Sequence, residues 1–100
     1  MAAYPIHIPR KFYRGSDRKR LAKITDQNQI AADLEDYINS KIKAEIEKHA
    51  GPFYTEFFYT DMAEETGYSE ETIRKVCYGI DCGIYGFMVH FSGKKSDTDR

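Results

Sequence analysis

The chain reads as a small α+β domain, mostly helical, with a short two-stranded sheet and an extended N-terminal arm. Three observations predict this. Ile30, Leu34, Ile38, Ile42 and Ile46 repeat every fourth residue along one stretch, which is a helical period. FYTEFF at 53–58 and IYGFMVHF at 84–91 are short and aromatic-rich, which suits strands. Between them lies YTDMAEETGYSEETIRKVCY, residues 59–78, with the punctuation of two short helices joined by a tight turn. At 100 residues the chain is the size of one domain.

The long helix is expected to start at Asp26, because Asp26 and Gln29 have the spacing of a capping box. A step of four residues overshoots a full turn, so the apolar stripe drifts by about 160° along the helix. One flat partner cannot cover such a stripe. The surplus around Ile30, Leu34 and Tyr37 is expected to cover the arm or to form a dimer seam with Tyr4, Ile6 and Ile8. Asp33, Glu35, Asp36, Lys41, Lys43, Glu45 and Glu47 read as a solvated face. Gly51 and Pro52 are expected to end the helix.

The helix pair is specified residue by residue. The first helix is expected over residues 61–66, with Thr60 as N-cap. Gly67 supplies the left-handed residue that ends it without a Cβ penalty. Ser69 can cap the second helix. Glu70 and Glu71 sit in its first turn, where the helix dipole favours anions. Ile73, Val76, Cys77 and Ile80 form one buried face. Gly79 costs about 1 kcal/mol against alanine within a helix, so it offers an earlier end; Gly83 is the later one.

The charge is uneven. Residues 1–25 hold seven basic groups against Asp17, a balance of +6. Residues 26–91 hold five basic and thirteen acidic groups, a balance of −8, and residues 92–100 add +1. The arm, residues 1–25, alternates Tyr4, Ile6 and Ile8 with Pro5, His7 and Pro9. The prolines restrict it to an extended arm or an edge strand. Arg10, Lys11, Arg14, Arg18, Lys19, Arg20 and Lys23 interleave with Phe12 and Tyr13, a mixture that suits phosphate contact and stacking. A solvated tail with its aromatics packed on the body accounts for the same residues. Residues 92–100 form a polar tail.

Little else points to chemistry. Cys77 and Cys82 would diverge by about 140° on one helix, so they are not expected to bridge. Alone they make no zinc site. His7, His49 and His90 lie in different elements without ligand partners at recognisable spacing. Glu64 and Glu65 are adjacent on a helix and do not share a face. No nucleophile elbow or phosphate-binding glycine loop occurs. The expectation is a non-enzymatic, cytoplasmic protein with no cofactor or metal. No leader peptide and no 18-residue apolar run is seen.

Met62, Ala63, Gly67, Ile73 and Val76 have the spacing of the helix-turn-helix of DNA-binding regulators. With its flanks, over residues 26–91, the chain resembles a winged helix-turn-helix domain. An ordinary helical hairpin would share the spacing. Only SGKKSDTDR follows the last strand, too polar and short to return as a second wing strand. The wing is therefore expected to be truncated. The resemblance implies a small winged-helix-like domain whose second helix enters the major groove. Ser69, Glu70, Glu71, Arg74, Lys75 and Tyr78 would then face outward. Arg74 and Lys75 suit guanine edges or phosphate and Ser69 suits phosphate, whereas Glu70 and Glu71 repel it. The expected function is a sequence-specific, dimeric, double-stranded-DNA-binding transcriptional regulator. Its DNA contacts are assigned to Ser69, Glu71, Arg74, Lys75 and Tyr78, with Arg10, Lys11, Arg14, Arg18, Lys19 and Arg20 from the arm. The alternative is a protein-interaction module on the same fold.

Overall fold

The computed structural model describes residues 2–49, 51–81 and 83–93. The element order is β1 (Ala2–Ala3), α1 (Arg18–Ile46), β2 (Phe53–Phe58), α2 (Tyr59–Thr66), α3 (Glu70–Asp81) and β3 (Gly86–Phe91). The α+β class and both aromatic strands agree with the sequence reading. The sheet, however, has three strands, in the order β1-β3-β2. β2 and β3 are antiparallel, with Phe53 opposite Phe91 and Phe58 opposite Gly86. β1 joins the other edge of β3 in parallel, pairing Ala2 with Val89. It stops just before the cis Tyr4–Pro5 bond.

Two boundaries of α1 differ from expectation. The helix starts at Arg18, so residues 18–25 belong to it and not to the arm. Asp17 is the N-cap, its side chain accepting from the Lys19 and Arg20 backbone N–H groups. Asp26, expected to be the cap, lies inside the helix. At the other end α1 stops at Ile46. There the Lys48 N–H turns back to Glu45 O and the His49 N–H to Ile46 O, well before Gly51. At about 1.5 Å per residue, 29 residues span roughly 44 Å, which accounts for most of the 50 Å long dimension.

The core lies between α1, the inner face of the sheet and the helix pair. Leu34, Ile38 and Ile42 are fully buried, whereas Ile30 and Ile46 at the drifting ends of the stripe are only partly so. Each fully buried aliphatic side chain contributes on the order of 1.5–3 kcal/mol. Phe53, Phe57, Phe87, Val89 and Phe91 line the inner sheet face, with the Phe57 and Phe87 rings stacked at 5.3 Å. Gly86 permits the close strand approach there: a Cβ on it would lie 1.9 Å from the Phe57 carbonyl oxygen.

The first part of the arm docks on the body. Ile6 and Ile8 are buried within the same chain, and Tyr4 packs edge-on against Phe91. Of the two fates open to the surplus stripe, covering the arm is the one observed in the chain. Three polar side chains of α1 hold the arm's backbone. Asn39 bonds both polar groups of Ile6, Glu35 accepts the Ile8 N–H at 2.8 Å, and Asn28 bonds both polar groups of Lys11. Glu35, read as part of a solvated face, is thus an anchor. Arg10 forks onto its two oxygens at 3.2 and 3.4 Å and also donates to the Ile8 carbonyl.

Candidate nucleic-acid interface

The turn between α2 and α3 follows local chemistry closely. Gly67 has φ of 84°, the left-handed conformation, and its N–H bonds Ala63 O. Ser69 Oγ accepts the Thr72 N–H at 3.1 Å, the N-cap bond expected of it. α2 starts earlier than expected, at Tyr59, directly from strand residue Phe58; no side chain caps it, so Thr60 is inside the helix. α3 continues past Gly79 to Asp81. Ile73 and Cys77 are fully buried, with Val76 and Ile80 packed beside them. Burial pushes the Cys77 thiol up to about 12. Cys82 lies outside the described residues.

Two contacts fix the helix pair on α1. Tyr68, in the turn, donates to Asp33 Oδ2 at 2.5 Å, and Lys41 pairs with Glu65 at 2.8 Å. The bonds from Tyr68 and then Gln29 hold the Asp33 carboxyl below its usual range. Lys41 does the same for Glu65, and burial with the Glu65 bond raises Tyr37 to about 12.

The outward side of α3 carries Glu71, Lys75 and Tyr78, all exposed. Lys75 pairs with Glu71 at 3.3 Å, one helical turn away. Arg74 is exposed but turned toward the body, its guanidinium carbon 5.5 Å from the centre of the Tyr59 ring. Ser69 spends its hydroxyl on the cap, donating to Thr72 Oγ1 at 2.8 Å.

The basic groups split into two sets. Arg10 is engaged with Glu35. Arg14, Arg18, Lys19, Arg20 and Lys23 are exposed and lie on the loop before α1 and its first turns. Aromatic rings steady two of them: Arg14 lies 5.1 Å from the Phe12 ring centre and Arg20 5.9 Å from that of Tyr13. No acidic side chain occupies the first turn of α1. The Asp17 carboxylate at the N-cap offsets part of the positive macrodipole end, and the basic side chains that follow leave the region net positive.

A cleft of about 430 Å³ joins these regions. It lies between the arm, the first half of α1 and α3, and its rim carries Lys11, Lys23 and Lys75. The proximity of Lys23 to α3 had no signal in the sequence, since nothing local reports how α1 lies against α3. Among the described residues no group of three His, Cys, Asp or Glu side chains is placed to hold a metal ion. Nor, among the described residues, is any helix long and apolar enough to cross a membrane. No protein-family model matches the chain, and no curated protein or solved structure matches it.

Proposed function

We propose that the protein is a winged-helix-like regulator that binds double-stranded DNA, presenting α3 to the major groove. The observation that carries this reading is the placement of charge. Five exposed cations, Arg14, Arg18, Lys19, Arg20 and Lys23, gather at one end of α1, and the cleft brings Lys11 and Lys23 beside Lys75 of α3. A positive path that leads to a candidate recognition helix suits the phosphate contacts that dominate DNA affinity. Lys75, with Glu71 and Tyr78 beside it on the outward side of α3, supplies the contacts from that helix, and the α1 end supplies phosphate contacts. Arg74, over the Tyr59 ring, and Ser69, engaged in the cap, do not point outward as the sequence reading expected. One short α3 offers few base contacts, so the reading includes a homodimer on the DNA. Lys75 pairs with Glu71 at 3.3 Å, an exposed pair that a phosphate can replace at little cost.

A gel-shift titration with random genomic fragments at two salt concentrations tests the reading. Binding that weakens with salt, and weakens further in Lys75→Gln, supports it. Absence of binding at low salt would overturn it.

One observation favours the alternative, a protein-interaction module. Tyr54, Phe58 and Met88 are exposed on the outer face of the β2–β3 sheet, beside exposed Tyr85. Aromatic and methionine side chains of this kind are enriched at protein interfaces. Capture of a protein partner that is lost in Tyr54→Ser/Phe58→Ser, with no DNA binding by the parent, would select this alternative.

A further inference from the structure

We infer that the cleft between the arm, α1 and α3 binds a small amphipathic anion, of the class of an aromatic or medium-chain carboxylate. The inference does not rest on the DNA reading. At about 430 Å³ the cleft is the size of a small-molecule site. Its apolar wall is assembled from three separate parts of the chain: Ile8 and Pro9 of the arm, Ile30 and Ala31 of α1, and Val76 of α3. Its rim carries three lysines, Lys11, Lys23 and Lys75, against one acid, Asp26, a balance of +2.

An apolar body with one anionic head matches both features. The body displaces water from the wall. The head meets ammonium groups whose long stems lie along apolar surface while the charge stays at the rim. A lysine is a point charge on a flexible stem, so it can follow a carboxylate without a fixed fork geometry. Among the described residues Lys75 is held by an exposed pair with Glu71, in which both side chains are three-quarters or more exposed, and such pairs exchange partners at little cost. Asn28 also lines the cleft, but both of its polar groups already hold the Lys11 backbone, so it serves as wall.

A ligand there would bridge the arm, the long helix and α3. It would stabilise the fold in proportion to its occupancy.

The test uses 1-naphthoate and its neutral analogue 1-naphthalenemethanol, titrated into the full chain by calorimetry and by thermal melting. Naphthoate is expected to bind saturably, with a dissociation constant of about 0.1–1 mM for a ligand of this size. It should raise the melting temperature, and the alcohol should bind about ten-fold more weakly or not at all. Lys23→Gln/Lys75→Gln should lose about ten-fold in naphthoate affinity, while Lys43→Gln, on α1 but away from the cleft, should bind as the parent does. Far-ultraviolet circular dichroism of each variant confirms that it is folded. No saturable binding by the parent, equal binding of acid and alcohol, or indifference to the double substitution would overturn the inference. Naphthoate binding by a protein that binds no DNA would uphold it and remove only the regulator reading.

Discussion

Asn39 holds both backbone polar groups of Ile6. Its Oδ1 accepts the Ile6 N–H at 2.8 Å and its Nδ2 donates to the Ile6 carbonyl at 2.9 Å. A side-chain amide thus replaces a neighbouring strand for one residue of the arm. Asn39→Ala would leave both groups unpaired in a partly buried place. We expect it to destabilise the fold by about 1–3 kcal/mol. For a domain of this size each kcal/mol shifts the melting midpoint by roughly 4–8 °C. A midpoint within 1 °C of wild type would mean that the arm is not held there.

Gly67 has φ of 84°, but a Cβ placed on it would meet nothing within 4 Å. The cost of a side chain is therefore conformational and not a clash. Gly67→Val should destabilise by more than about 1 kcal/mol, because a β-branched residue is strongly disfavoured at positive φ. Gly67→Asn should cost less, since asparagine tolerates the left-handed region. Thermal melts rank the three proteins; equal cost for Val and Asn would contradict the conformational account.

Glu35 supplies a pH dependence. The Ile8 N–H, and after it Arg10, hold its carboxyl below the ordinary 4.5. A carboxyl with a depressed folded value stabilises fully above its unfolded value and loses that contribution as pH falls through the folded value. The stability gap between wild type and Glu35→Gln should therefore be widest near neutral pH and narrow below about pH 4.5. Melts from pH 7 to pH 3 measure it. A gap that stays constant over that range would show that the charge of Glu35 does not hold the arm.

Cys77 has a thiol pushed up to about 12 by burial. Only the thiolate attacks a disulfide reagent. In a Cys82→Ser background, Cys77 should react with such a reagent at pH 8 on the order of 10³-fold more slowly in the folded protein than in denaturant. Comparable rates would place Cys77 at the surface.

The parts legible in the sequence were those encoded by neighbouring residues. Gly67 and Ser69 act within a turn of their own positions, so their roles could be read directly. The aromatic strands and the buried faces of α1 and α3 follow from periodicity. The start of α1 did not, because Arg18, Lys19 and Arg20 oppose the helix dipole while Asp26 and Gln29 imitate a cap. β1 is two alanines without a pattern. The arm's docking depends on Asn28, Glu35 and Asn39, polar residues 17 to 33 positions from the backbone groups they bind. Their shared helix face looks solvated until the arm is placed on it. That docking also means that removing residues 1–24 would take Ile6 and Ile8 out of the core, so charge substitutions are the cleaner probe of the basic end.

The DNA-binding proposal requires that the cations at the start of α1 neutralise DNA phosphates. The most direct test is the slope of log affinity against log salt for duplex DNA, measured for wild type and for Arg14→Gln/Arg18→Gln/Lys19→Gln/Arg20→Gln. Each phosphate contact contributes about −0.9 to that slope. If all four groups engage, the variant's slope should be smaller in magnitude by about 3–4 per subunit, with a melting temperature no lower than that of wild type, since three of the four cations oppose the helix dipole. Equal slopes for the two proteins, or no binding by either, would contradict the claim.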